Sequence, residues 1–322
     1  MPSIPISSIS SISSIISTTP ISISISIPTP ISISISISIF SFLRLRISLL
    51  IGKKSEIRPD RDGLGYPVEA HPPMIGHLPA HQPMRAILLN QRPFHESSVI
   101  GEWVVEPLGL VDTLARGLRR QRRNPDRPDL FQGWLLWVIP SRTSHLHTLS
   151  KLEPDPSAPP RIRPRPADLL QASTFSKWLR ANTAREYPSA RPYQLFAATL
   201  TDLATHGPSQ AQTVSFILKL MRIHGGLPDW QRCGRCHATL SHDTKAMIAP
   251  QIGEVLCPRC AAIGAPPAAG WVSPHLRENL SILSWTPLHD LPAELRTADL
   301  DQEFRIASDL AQYQDIRLTP SS

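Results

Sequence analysis

The chain has 322 residues, 41% of them hydrophobic, four cysteines and a formal net charge of +7. That length leaves room for two domains and a sizeable core, and nothing in the composition points to an oxidising compartment. The charge is uneven: residues 1–83 are net +2, residues 84–166 net +5 and residues 167–322 neutral, so a basic partner surface belongs to the middle segment. Arginine outnumbers lysine there, which suits bidentate contact with phosphate and stacking on bases. The plainer reading of the same arginines is a solvated basic face.

From Met1 to Phe42 the chain is almost entirely Ser and Ile, with no charged residue before Arg44. Ile31 to Ile39 alternates strictly with serine, an aggregation-prone strand pattern that no membrane-spanning helix would show. A basic start and a continuous apolar stretch, which a signal peptide needs, are both missing, and the arginines of a transit peptide begin only at position 44. Residues 1–83 are therefore expected to be a low-complexity extension or a misplaced start, with the working protein beginning near Met74 or Met84. Gly52-Lys53-Lys54-Ser55 has the tail of a phosphate-binding loop but lacks its first glycine, and is set aside.

Residues 84–152 change to short apolar runs separated by turn residues. Strands are predicted over 85–90, 98–106, 110–115, 133–139 and 145–151, and five short strands in so few residues fit a closed barrel of the OB type. Between the third and fourth lies Arg116-Gly117-Leu118-Arg119-Arg120-Gln121-Arg122-Arg123, with Arg127 beyond it. A loop this basic on a small barrel is where a nucleic-acid backbone would lie, with salt-sensitive affinity. Arg116, Arg119, Arg120, Arg122 and Arg123 are the main candidates for that contact, with Arg92 and Lys151 as secondary ones. Trp103, Trp134 and Trp137 are candidate base-stacking surfaces, although strand tryptophans more often pack in cores. His145 and His147 alternate on one strand face, as a metal pair or, more ordinarily, as structural histidines.

Residues 153–166 hold too much proline for helix or strand and read as an extended linker, whose Arg161, Arg163 and Arg165 would continue the basic track. Residues 167–322 read as a helical domain. Helical periodicity covers 167–183, 193–206 and 210–223, the last stopping at Gly225-Gly226 before Pro228, and returns over 274–284 and 299–314. Within this half, Cys233-Gly234-Arg235-Cys236 and Cys257-Pro258-Arg259-Cys260 form a C-x-x-C, twenty-residue gap, C-x-x-C spacing. That spacing signals a zinc site over 233–260, and four thiolates close a tetrahedral shell with no position left for water. Two disulfides are the alternative, and His224, His237 or His242 could replace one sulfur. The expected fold class is thus α+β: an N-terminal OB-fold β-barrel followed by a helical domain with a four-cysteine zinc finger. No nucleophile constellation, no H-E-x-x-H and no complete phosphate loop is found, so a non-enzymatic binding protein is expected.

Residues 84–98, an apolar strand running into Arg92-Pro93-Phe94-His95-Glu96-Ser97-Ser98, resemble the opening strand and R-P-x-x-E-S-S turn of the DNA repair protein RecO family. Ala115-Arg116-Gly117-Leu118-Arg119-Arg120 resembles the A-R/K-G-x-R segment after that family's third strand, and residues 129–136 resemble its L-Q-P-F-x-P-L-L-L strand with residues rearranged. Phe216 to Cys236 is similar to the helix ending in L-G-Y-x-P-x-L-x-x-C-x-x-C, with Gly226 in place of Tyr and Gln231 in place of the last Leu. The likeness covers about residues 84–322, and the proline-rich linker departs from it. It implies a cytoplasmic, nucleoid-associated recombination mediator of the RecF pathway that binds single- and double-stranded DNA and works without ATP. Such a protein anneals strands coated by single-stranded-DNA-binding protein and, with RecR, assists RecA loading; no membrane is involved. A zinc-ribbon and barrel adaptor that binds RNA or acts in transcription is the alternative, and a zinc hydrolase with a Cys/His site is a third.

Overall fold

The computed structural model describes Leu78 and residues 82–117 and 128–318. Five strands come first: β1 (Met84–Phe94), β2 (Ser98–Val105), β3 (Gly109–Ala115), β4 (Gly133–Ile139) and β5 (Leu146–Pro154). They close into a barrel in the order β1-β2-β3-β5-β4, with β3 and β5 parallel and the other pairs antiparallel. Three long helices follow, α1 (Pro166–Asn182), α2 (Arg191–His206) and α3 (Gln210–Ile223). A small sheet of β6 (Ala246–Ala249), β7 (Glu254–Leu256) and β8 (Gly270–Val272) then encloses the short helix α4 (Pro258–Ile263) in sequence. Helices α5 (Pro274–Trp285), α6 (Ala293–Thr297) and α7 (Asp301–Tyr313) complete the chain. The molecule is an OB-like barrel followed by a helical region with a four-cysteine cluster, an α+β fold.

Strand β1 explains how the halves join. Its run Ala86-Ile87-Leu88-Leu89 is buried on both faces, as an unbroken apolar run requires. Ala86 and Leu88 fill the barrel with Trp103, Trp134, Leu136 and Val138. Ile87 and Leu89, with Val104 and Leu110, face outward into a core shared with Phe175, Phe196 and Phe216 of the helices. Ser176 Oγ donates to the Leu89 carbonyl at 3.1 Å, so the junction also satisfies a strand carbonyl. At the centre of the helical half, α3 is buried nearly all round. Its N-cap Ser209 accepts from the Gln212 N–H, and Gly225, at φ +75, turns the chain out as predicted.

The proline-rich connection departs from its sequence reading. Glu153 and Pro154 finish β5 rather than opening a linker, because a proline at a strand end has no ladder N–H to withhold. Beyond them the segment is tied down. Asp155 accepts from Arg85 Nε at 3.0 Å and from the Ser157 N–H at 2.8 Å. Ala158 lies so close to Gly133 that a Cβ there would sit 2.5 Å from its own. Ile162 packs against the shared core, and Arg165 makes two bonds, at 2.8 and 3.0 Å, to the buried Asp168.

Candidate nucleic-acid interface and metal centre

The four cysteine sulfurs lie within 4.8 Å of one another and are the one group of three or more potential ligands among the described residues. Cys233 opens the first knuckle after Trp230, whose indole N–H donates to Ser284 Oγ at 2.9 Å. Cys257 caps α4, its sulfur accepting from the Cys260 N–H at 3.4 Å. The Cys233 sulfur accepts from the Cys257 N–H at 3.3 Å, and Arg235 locks the knuckles together through the Cys260 and Gly264 carbonyls, both at 2.9 Å. Cys236 and Cys257 stand 3.7 Å apart, S to S. That is far beyond a disulfide and close to the edge, about 3.8 Å, of a tetrahedron of sulfurs about 2.3 Å from zinc.

The electrostatics agree with that donor set. Burial raises the Cys233 pKa, but the backbone N–H groups of Cys236, Cys257 and Arg235 outweigh it and bring it down to about 6. Cys260 is pushed up to about 12 by burial and by the three sulfurs it faces. Four thiolates at this spacing repel unless a cation sits among them, so the residues fit zinc. Cys233, Cys236, Cys257 and Cys260 would hold it, and its contribution would be to tie the two knuckles together. His224, His237 and His242 lie outside the cluster.

Of the predicted DNA-contact residues, Arg119, Arg120, Arg122 and Arg123 lie outside the described residues. Arg92, Arg116 and Lys151 fall toward one end of the barrel. Arg92 pairs with Ile100, which pairs with Leu114, two residues before Arg116. The parallel pairing of Leu114 with Thr148, continued by two residues, sets Arg116 beside Ser150, next to Lys151. Arg92 and Arg116 are exposed. Lys151 is partly engaged: its Nζ lies 2.5 Å from Glu153 Oε1 and 4.8 Å from the centre of the Trp137 ring.

Two of the three stacking candidates are core. Trp103 is 1% exposed and donates its indole N–H to Thr113 Oγ1 at 2.8 Å, and Trp134 is 3% exposed inside the barrel. Inward positions of so small a barrel must be filled, and large rings fill them. Trp137 remains on the outer wall. Arg161 and Arg163 are exposed, whereas Arg165 is engaged by Asp168.

The histidines belong to a clasp that sequence reasoning missed. Residues 183–190 lie along β3, with the Glu186 N–H donating to the Leu110 carbonyl at 2.9 Å. A Cβ at Gly109 would meet the Ala184 carbonyl at 2.9 Å. Glu186 Oε1 accepts from His145 Nδ1 at 2.8 Å and His147 Nε2 at 3.1 Å, while His147 Nδ1 accepts from the Ser141 N–H at 3.1 Å. With its proton on Nε2, neutral His147 has no lone pair there for a metal. Burial works against the Glu186 carboxylate, yet the two imidazole bonds hold its pKa below the ordinary value. Arg185 pairs with Asp112 at 2.9 Å, Arg180 with Glu102 at 2.5 Å, and Arg85 with Asp155 and Glu106 at 3.0 and 3.3 Å. Arg180 and Arg185 therefore tie the strands to α1 and to the segment after it, whereas Arg85 ties β1 to the residues that follow β2 and β5. Sequence carried no signal for this, since each pair joins residues more than 20 positions apart.

Among the described residues no helix is long and apolar enough to cross a membrane. No curated protein matches the chain. Residues 166–304, spanning α1 to the start of α7 and including all four cysteines, match the family model for the C-terminal region of recombination protein O.

Proposed function

Because the chain belongs to the RecO family, whose role lies in DNA recombination and repair, we propose that it is a recombination mediator acting without bond chemistry. In this reading residues 84–154 are the DNA-binding barrel, 155–165 the connection, and 166–322 the helical domain with zinc at 233–260. Arg92, Arg116, Arg119, Arg120, Arg122, Arg123 and Lys151 hold phosphates of single- or double-stranded DNA, and the zinc is structural. The protein anneals complementary strands coated by single-stranded-DNA-binding protein and, with RecR, assists RecA loading in the cytoplasm.

The observation that carries this reading is the joining of the matched helical domain to an OB-like barrel with exposed arginines, Arg92 and Arg116, at one end. Annealing of complementary strands coated by single-stranded-DNA-binding protein, without nucleotide, is the test. Alanine at Arg119, Arg120, Arg122 and Arg123 should slow annealing and flatten the salt dependence of DNA affinity. Unchanged annealing would refute these contacts, and preference for RNA over single-stranded DNA would favour an RNA adaptor.

A further inference from the structure

The outer face of strands 2 and 3 is the usual seat of a nucleic acid on an OB barrel. In this protein that face is occupied by the helical half. Val104 and Leu110 are buried in the shared core, and Glu102 and Asp112 are paired with Arg180 and Arg185. Two carboxylates there would also repel a phosphate. A nucleic acid must use another wall.

The β4–β5 wall is open. Trp134, Leu136 and Val138 point into the barrel, so Leu135, Trp137 and Ile139 face outward, and neither core covers them. Ile139 is 48% exposed and Trp137 half-buried. Strand β5 carries one extra residue, Ser150, opposite the Trp137–Val138 step, a bulge of the kind that re-aims a side chain, here beside Lys151. Exposed guanidiniums flank the wall: Arg142 in the hairpin loop after Ile139, and Arg116 across β5. Neither forms an ion pair among the described residues. Trp137 and Arg116 lie two strand spacings apart, about 10 Å. A polyanion with flat apolar bases complements that arrangement, whereas an apolar peptide would leave the guanidiniums without partners.

We infer that the β4–β5 wall is the single-strand platform of the barrel, where an unpaired nucleobase stacks on Trp137 and its flanking phosphates are held by Arg116 and Arg142. In the free protein the Lys151 ammonium covers the ring. The entering base takes its place and releases it to a phosphate, against the hold of Glu153. This inference rests on the DNA-binding reading above and specifies its site.

The test uses the full chain and a labelled oligo-dT, with binding followed by fluorescence anisotropy at several salt concentrations. Trp137→Ala should weaken binding about tenfold with the salt slope unchanged, and Trp137→Phe should keep most of the affinity. Arg116→Ala should lower the slope by about 0.7. Glu153→Gln, which frees Lys151, should tighten binding severalfold. Ultraviolet cross-linking of the wild-type protein to an oligonucleotide carrying 5-iodouracil should place the adduct on Trp137, and this readout does not require a variant to fold. Wild-type affinity in Trp137→Ala, or adducts confined to other residues, overturns the platform while leaving the DNA-binding reading intact. Failure of the wild-type protein to bind any oligonucleotide overturns both.

Discussion

The amine of Lys219 gives the helical half a pH-dependent stability that can be measured. It lies on α3, 7% exposed, and donates to Ser215 Oγ and to the Leu283 carbonyl. Burial, reinforced by the nearby Arg222 guanidinium, lowers its pKa from 10.5 to about 7. Since the folded-state value is the lower one, the unfolded chain binds a proton between about pH 7 and 10.5 that the folded chain has released. Stability therefore rises with pH across that window. At about 1.4 kcal/mol per pKa unit, the handicap is on the order of 4 kcal/mol at pH 7 and about 2 kcal/mol at pH 9. Lys219→Met removes the charge but also two hydrogen bonds worth about 1 kcal/mol each; the Leu283 carbonyl keeps the Ser215 hydroxyl, at 2.7 Å. The variant should be more stable than wild type by about 2 kcal/mol at pH 7 and equal to it near pH 9. Urea titrations of both proteins at the two pH values supply the comparison, because every other titrating group cancels. Parallel pH responses would show that Lys219 is not the group at work.

Four further outcomes are expected. Serine at Cys233 or Cys260 should abolish binding of one equivalent of zinc and lower the Tm by on the order of 10 °C. Cobalt in the wild-type site should give thiolate charge-transfer absorption, and spectra with a water ligand would count against the closed shell. Trp103→Phe strips Thr113 Oγ1 of its buried donor, so it should cost about 1–3 kcal/mol in urea while leaving oligonucleotide affinity unchanged. Glu186→Ala removes the acceptor shared by His145 and His147, and should speed amide exchange over residues 183–190 without changing zinc content; unaltered exchange would mean that the carboxylate does not hold the clasp.

The elements that sequence located well are those with an unmistakable period or a hard stop. Strand β4 and helix α3 match their predicted ranges because alternation around Trp134, Leu136 and Val138 and the stop at Gly225 are local signals. The cysteine quartet was legible for the same reason: its spacing alone brings the sulfurs together. Strands β6 to β8 were missed because three or four residues carry no measurable period. The fate of each tryptophan was beyond reach, since whether Trp103 or Trp137 faces inward depends on how the five strands close into a barrel. Arginine composition overstated the free basic surface, because Arg85, Arg165, Arg180 and Arg185 meet carboxylates.

Strand β1, with one face lining the barrel and the other seated on helices, gives the two halves a wall in common. Cutting the chain at residue 166 would lay bare Ile87, Leu89, Val104 and Leu110 as one greasy stripe, so an isolated barrel would aggregate before it could be assayed. Under the DNA-binding reading proposed above, a load on a strand held by the barrel would pass to the helices across this apolar seam.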